Sequence, residues 1–278
     1  MKTIAAFMKK RPVPAYYLMV FTISWGGLLV LTGGRVPGTK EQVDGLFPLA
    51  LLILFAGPSV SGLLMTALVS GKAGFRDYSS RLLKWRVGIG YWAAALLTGP
   101  VLVAAVLLAL SLVSKDYLPG IVGADNKIAL LVFGVAWGLV GGGLLEETGW
   151  TGFAVPQLRK RYGVFTTGLI AGVLWGLWHC LIAYWSSGSL AANASTSIFV
   201  SGFLLFYFCA LPAYRVFLVW LHDRTGSLLL TMVMHAGLSS SCLILQPAST
   251  GTPYLVWNLA LAALMWIVVA INRKRITR

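Results

Sequence analysis

Two adjacent carboxylates stand inside an apolar stretch of this 278-residue chain, where ionisable side chains are uncommon. Glu146 and Glu147 follow the run GGGLL, whereas the other six acidic residues fall in segments that we predict to connect membrane spans. A charge at bilayer depth is energetically costly, so it is rare there and usually functional. On a helix, adjacent side chains diverge by about 100°, so we expect one carboxylate to face a cavity and the other to brace a neighbouring helix. The pair therefore indicates chemistry inside a membrane.

Two histidines in other apolar stretches are candidates to complete such a site. His179 lies in GVLWGLWHCLIAYW and His235 in LLLTMVMHAGLSSS, while His222 is interpreted as a solvated residue of a short connection. A single intramembrane histidine is most simply a hydrogen-bonded packing residue, but two of them with a glutamate pair on three separate helices indicate a site. At a helical rise of about 1.5 Å per residue, Glu146, His179 and His235 lie at comparable depths. We predict that these three side chains meet in a cavity near the bilayer centre.

The elements that must position these residues are membrane-spanning helices. A mean hydropathy of +0.82 with 58% hydrophobic and 11% charged residues excludes a soluble globular protein. Spanning the hydrocarbon takes roughly 20 apolar residues in a helix, and none of the apolar runs alternates like a barrel strand. The sequence predicts an all-α polytopic fold of about eight transmembrane helices, with residues 1–278 forming one integral membrane domain. The predicted spans are about 15–32, 46–70, 86–113, 128–148, 164–185, 195–220, 227–246 and 253–271.

The formal net charge of +14 is explained by membrane topology. Eighteen of the 22 basic residues, Arg215 among them, fall in segments on one side of the predicted spans. This positive-inside asymmetry predicts a multi-pass protein of the cell membrane with both termini cytoplasmic, whose basic rim contacts anionic lipid. It argues against nucleic acid as a partner. The first apolar run is long for a signal peptide, so we interpret it as a retained anchor.

The segment after the glutamates, TGWTGFAVP, predicts a bent helical continuation toward the cytoplasmic surface. Gly149 and Gly152 would permit close helix approach, and Pro156 suits a kink or a new helical turn. A simpler alternative is that the carboxylates cap a helix or pair with Arg159 or Lys160 at the interface.

The three cysteines show no spacing typical of a zinc site. Cys180, Cys209 and Cys242 all lie in predicted spans, far apart in sequence, and no CxxC motif occurs. They are interpreted as small apolar packing residues.

Three motifs follow one another along the predicted helices, namely Glu146-Glu147 with Gly149-Trp150 and Gly152-Phe153, then Trp175-x-x-x-His179, then His235-x-x-x-Ser239. Together they resemble a known family, the CAAX-protease and bacteriocin-processing (CPBP, or Abi) intramembrane proteases, which include the Ras-converting CAAX endopeptidase. The family motifs EExxxR, FxxxH and HxxxN occur in this order on successive helices, and the match covers about residues 128–245, the predicted catalytic core. The glycine and aromatic surroundings resemble those of bacterial members. Thr151 stands at the motif arginine and Ser239 at the motif asparagine, and Trp175 replaces the phenylalanine.

The resemblance implies an intramembrane endopeptidase acting on a membrane-associated protein or peptide precursor. Glu146 and His179 would activate water, His235 and Ser239 would stabilise the oxyanion, and Glu147 would orient the site. Glu146, His179 and His235 are also ligand types that zinc accepts, so a divalent metal such as zinc stays open. The helical HExxH arrangement is absent, and a site without a metal or other cofactor is slightly favoured.

Two alternatives remain open at this stage. A catalytically silent relative, acting as a membrane adaptor or bacteriocin-immunity factor, would explain the threonine at position 151. A proton-coupled transporter would use the carboxylates and histidines as a relay. Without a cation at position 151, the glutamate pair must be stabilised by backbone amides, Arg159, Lys160 or a histidine, and we expect one carboxylate to be protonated or strongly hydrogen-bonded.

Overall fold

The computed structural model describes residues 2–36, 38–190, 196–247 and 251–277. Within these ranges the chain forms helices and one isolated antiparallel bridge, Pro119 to Pro247, and no strand. Eight helices are long and apolar enough to cross a membrane, so the predicted all-α polytopic fold is confirmed and the chain is a multi-pass membrane protein. These are α1 (Pro12–Leu31), α2 (Lys40–Leu82), α3 (Ile89–Ser111), α4 (Lys127–Arg159), α5 (Val164–Ser187), α6 (Val200–Thr225), α7 (Leu228–Leu245) and α8 (Thr252–Ile271).

The largest boundary difference from the sequence prediction is in α2, which is longer than the predicted span at both ends. It begins after Thr39, whose hydroxyl accepts the Gln42 N–H while the Gln42 side chain accepts the Thr39 N–H. This reciprocal cap satisfies two N–H groups that the first turn leaves unpaired. Gly71, with φ of +55°, interrupts the helix immediately after the predicted end at residue 70, and residues 72–82 are helical again.

A second difference concerns the end of α6, where the prediction for His222 is wrong. The helix continues to Thr225, so His222 is a half-buried residue of its last turn instead of a solvated loop residue. Gly226 then takes a left-handed conformation with φ of +61°, and its N–H donates to the His222 carbonyl over 2.7 Å. Glycine adopts this conformation without the steric cost of a side chain, so it ends the helix here. The predicted start of this span at residue 195 lies outside the described residues.

The helix that carries the glutamate pair is unusually wound. Two π-helical segments, Gly138–Glu146 and Trp150–Ala154, flank a three-residue α-helical turn that contains Glu147. π-helical turns change the direction in which side chains point, and they occur frequently at functional sites. The Ser59 hydroxyl of α2 donates to the Leu145 carbonyl in this region over 2.5 Å.

Arg81, at the end of α2, stabilises α4 where proline interrupts its hydrogen bonding. Pro156 has no N–H to donate, which leaves the carbonyl of Gly152, four residues earlier, without its helical partner. The Arg81 side chain donates to this carbonyl over 2.9 Å and to the Thr151 carbonyl over 3.2 Å. α4 therefore stays helical to Arg159, which confirms the predicted continuation after the glutamates.

Glycines let α4 approach its neighbours closely, as predicted. A side chain on Gly149 would overlap the Pro58 carbonyl and the Tyr16 hydroxyl, and one on Gly152 would come within 2.8 Å of the Tyr78 ring. Small residues at helix contacts allow backbones to pack closely in membranes. The contacts hold α4 against α1 and α2.

Candidate active site

Glu147 lies at the centre of a fully buried polar cluster that joins three helices. Its Oε1 accepts Nη1–H of Arg215 from α6 and contacts His235 Nδ1 from α7, each over 2.7 Å. Its Oε2 accepts the hydroxyl of Thr151, one turn later on α4. Glu147, Thr151 and Arg215 are 0% exposed, and His235 is 1% exposed. Charge-assisted hydrogen bonds of this kind are roughly twice as strong as neutral ones.

The source of the cation differs from the prediction. Of the predicted partners, a histidine, His235, contacts Glu147. Arg159 pairs instead with Asp223 over 2.6 Å and Lys160 donates to Gln157, so neither of these cations stabilises the glutamates. Arg215, which the charge count assigned to a cytoplasmic connection, is buried in α6. The signal was its setting, ALPAYRVFLVW, because an arginine within an apolar span needs a buried partner.

Glu146 points to a different set of side chains, as adjacent residues on a helix should. Its Oε2 accepts the indole N–H of Trp150, on the next turn of α4, over 3.1 Å, and that of Trp175 from α5 over 2.5 Å. The carboxylate is 4% exposed. Among the described residues no donor contacts Oε1, so this oxygen remains for another ligand.

Trp175 connects the parts of the site. Its indole face lies under the Arg215 guanidinium, whose Cζ atom is 4.2 Å from the ring centroid. Its ring also meets that of His235 edge-on, with the two ring centroids 4.8 Å apart. Its carbonyl oxygen lies 3.0 Å from His179 Nδ1. One residue therefore contacts the buried arginine, both histidines and, through its N–H, Glu146. Its position in the sequence motif predicts only a replacement for phenylalanine and does not reveal these contacts.

The hydrogen bond of His179 defines its tautomer. A carbonyl oxygen can only accept, so Nδ1 carries the proton and Nε2 of the neutral ring has a free lone pair. The ring stacks on that of Tyr207 with a centroid distance of 4.6 Å and an interplanar angle of 13°. It meets the Trp178 ring edge-on. Among the described residues, Glu146 and His179 are not hydrogen-bonded to each other directly. Trp175 bridges them, through its N–H on one side and its carbonyl on the other.

His235 and Ser239 are one turn apart on α7 and both face α4 at Gly142. A Cβ built on Gly142 would lie 2.5 Å from Ser239 Oγ and 2.9 Å from His235 Nε2. An ionised Glu147 accepts at Nδ1 of His235, so Nε2 is the nitrogen that faces Gly142. The absence of a side chain at Gly142 thus lets these two groups lie directly against the helix that carries the glutamates.

The structure brings the predicted site residues together in two linked groups. Glu147, His235 and Ser239 form the first, and Glu146 and His179, bridged by Trp175, form the second. A half-open apolar cavity of about 220 Å³ lies beside them, and Tyr207, which stacks on His179, lines it with Cys180. None of the three side chains expected to share a cavity lines this one. Their common cavity stays a prediction.

The geometry does not fit a resident metal ion. In the described part of the chain, no group of three or more His, Cys, Asp or Glu side chains is placed to hold one. Glu147 is engaged by an arginine, and one oxygen of Glu146 already accepts two indole N–H groups. The three cysteines are free thiols, each half-buried on a different helix.

Comparison with known proteins agrees with the motifs. Residues 128–241 match the family model described as type II CAAX prenyl endopeptidase Rce1-like. The chain is also 22% identical over 227 residues to a protein named CAAX prenyl protease 2 from Methanococcus maripaludis, a match that covers 79% of this chain and 80% of the relative. The predicted resemblance to the CPBP and Rce1-like proteases is confirmed.

Proposed function

We propose that this protein is an intramembrane endopeptidase that hydrolyses a peptide bond in a membrane-associated protein or peptide precursor. The observation that carries the proposal is the convergence of three apolar helices on two buried glutamates and two histidines. Each histidine has its Nδ1 bound by an oxygen acceptor, which orients Nε2 for chemistry. The match to a peptidase family over the same residues supports the reaction class.

Water activation is assigned to Glu146 and His179. Among the described residues no side chain donates to Oε1 of Glu146 or contacts Nε2 of His179, and Trp175 fixes both side chains from one position. A water held between these atoms would lose a proton to one of them while its oxygen attacks the scissile carbonyl carbon. The proton then passes to the leaving amine.

Stabilisation of the oxyanion is assigned to His235 and Ser239. The hydroxyl of Ser239 can donate directly, and His235 donates from Nε2 when its ring is protonated, since Nδ1 is already bound to Glu147. Removing one such donor typically lowers the rate by about 10²–10³-fold.

The substrate side of the proposal is limited to a chemical class. The relative's name refers to prenylated CAAX proteins for that relative, and here we propose a membrane-associated peptide segment that enters beside His179. The apolar cavity lined by Tyr207 and Cys180 offers room for an apolar group of that segment. The threonine at position 151 was the evidence for a silent relative, and the guanidinium of Arg215 on Glu147 weakens that evidence.

The test is cleavage of a library of membrane-anchored peptides by the purified protein in lipid nanodiscs. Glu146→Gln keeps the shape of the side chain and removes its basicity, so turnover should fall by about 10²–10⁴-fold. Glu41→Gln, an exposed carboxylate in the first turn of α2, is the matched control and should cleave like the unmodified protein. If the unmodified protein cleaves nothing and Glu146→Gln retains the biological phenotype, the adaptor function replaces this proposal.

A further inference from the structure

The two oxygens of the Glu147 carboxylate are bound from two different directions. Arg215 of α6 donates to Oε1, and Thr151 of α4 donates to Oε2. Position 151 is where the related motif carries arginine. We propose that Arg215 is a positioning residue that supplies, from another helix, the positive charge that the motif places at position 151.

Side chains at positions 151 and 215 both reach the Glu147 carboxylate, one at each oxygen. Thr151 lies one turn after Glu147, and residues four apart share a helix face. Because its hydroxyl already contacts Oε2, a longer side chain at this position starts within reach of the same group. A cation from either helix can therefore balance one carboxylate.

Arg215 has few other contacts that would explain its burial. Its Nη1 donates to Glu147 and its guanidinium lies on the Trp175 ring, whereas Nε and Nη2 contact no hydrogen-bond acceptor among the described residues. Burying a charge without a partner is strongly unfavourable. The carboxylate and the aromatic face therefore account for its position, and both belong to the candidate site.

The permanent charge of Arg215 has a consequence for His235, which contacts the same Oε1. Arginine stays protonated in proteins. Arg215 therefore balances the buried carboxylate permanently, and the same carboxylate oxygen holds Nδ1 of His235 in place. Arg215 thus acts on the reaction through Glu147 and His235.

The experiment compares Arg215→Met with the double variant Thr151→Arg/Arg215→Met. Its measurement of peptide cleavage rests on the proposed endopeptidase function. We expect Arg215→Met to lower kcat by about a hundredfold, with a smaller change in KM, because Glu147 would no longer hold His235 in position and a misplacement of about 1 Å can cost on the order of 10²-fold in rate. The double variant should recover at least about tenfold over Arg215→Met, because the new arginine reaches the same carboxylate. Arg159→Met, which breaks the partly exposed pair with Asp223, is the control and should keep full activity.

A thermal-unfolding measurement on the same proteins distinguishes the two proposals. If the unmodified protein cleaves nothing, the proposed function fails, and stability alone then tests Arg215. Arg215→Met should be less stable than the unmodified protein, and either Thr151→Arg or Glu147→Gln added to it should restore part of the lost melting temperature. If Arg215→Met does not fold, recovery of folding in these double variants supports the inference. The inference is overturned if Arg215→Met keeps its stability and kcat, or if neither added substitution restores anything.

Discussion

The packing of α4 against α7 at Gly142 leads to a sharp prediction for Gly142→Ala. The added methyl carbon would lie 2.5 Å from Ser239 Oγ and 2.9 Å from His235 Nε2 and Cδ2, where ordinary contact begins near 3.4 Å. Ser239 can rotate away, but His235 is bound to Glu147 through Nδ1. The imidazole must therefore move by about 0.5 Å to reach ordinary contact, and its 2.7 Å hydrogen bond then lengthens.

The expected effect is large on activity and modest on stability. Alanine in place of glycine favours a helix by roughly 0.5–1 kcal/mol, while overpacking typically costs about 1–3 kcal/mol. The net loss of folding free energy should therefore stay under about 2.5 kcal/mol. A misplacement approaching 1 Å in a catalytic group can cost on the order of 10²-fold in rate, so we expect kcat to fall by roughly tenfold to a hundredfold.

The assay is peptide cleavage in nanodiscs with a melting curve for each protein. Gly237→Ala is the matched control, because Gly237 lies on the same helix as His235 and its added methyl meets Pro100 at an ordinary 3.4 Å. Both variants gain the same helix preference, and only the first should lose activity. Equal activity of Gly142→Ala and Gly237→Ala at equal folding would show that His235 and Ser239 do not act from the positions described.

Three further predictions test other contacts. Trp175→Phe keeps the aromatic face and removes the N–H that donates to Glu146, so kcat should fall by roughly tenfold or more. This is the rate equivalent of about 1.5–3 kcal/mol for a hydrogen bond to a charged group. The control is Trp257→Phe, which changes a buried tryptophan of α8. Thr151→Val removes the hydroxyl from Oε2 of Glu147 and should lower both the melting temperature and kcat, whereas Thr151→Ser should retain most of each. Topology reporters inserted at residues 36–42 and 72–84 should report opposite sides of the membrane, and reports from the same side would contradict the predicted orientation.

The sequence predicted the spans well because the bilayer leaves the backbone few choices. Apolar runs must form helices of membrane length, so hydropathy alone located all eight helices to within several residues in most cases. Helix ends outside the hydrocarbon follow other rules. The early start of α2 depends on the hydrogen bonds of the Thr39 cap, and the interruption of α2 depends on the positive φ of Gly71. A hydropathy profile shows neither of them.

The candidate catalytic residues stand out by their rarity in apolar segments, a criterion that cannot identify their supporting contacts. Trp175 is one of 11 tryptophans, and its residue type alone does not mark it as the one that joins Glu146 to His179. The π-helical turns of α4 are likewise invisible to a 3.6-residue pattern. Their carbonyl groups accept hydrogen bonds from Ser59 and Arg81, which lie far away in sequence.

Arg215 shows where the reasoning from charge was incomplete. The predicted sixth span, 195–220, already contained this residue, but the charge count assigned it to a connection because positive residues there fitted the topology. Moving it into the membrane changes the asymmetry only from eighteen against four to seventeen against four, so the predicted orientation keeps its basis. The rule that made Glu147 notable applies equally to a cation, since a buried carboxylate requires a buried partner. A motif that lacks its usual cation is therefore a reason to search the remaining spans for an arginine before concluding that the site has lost its function.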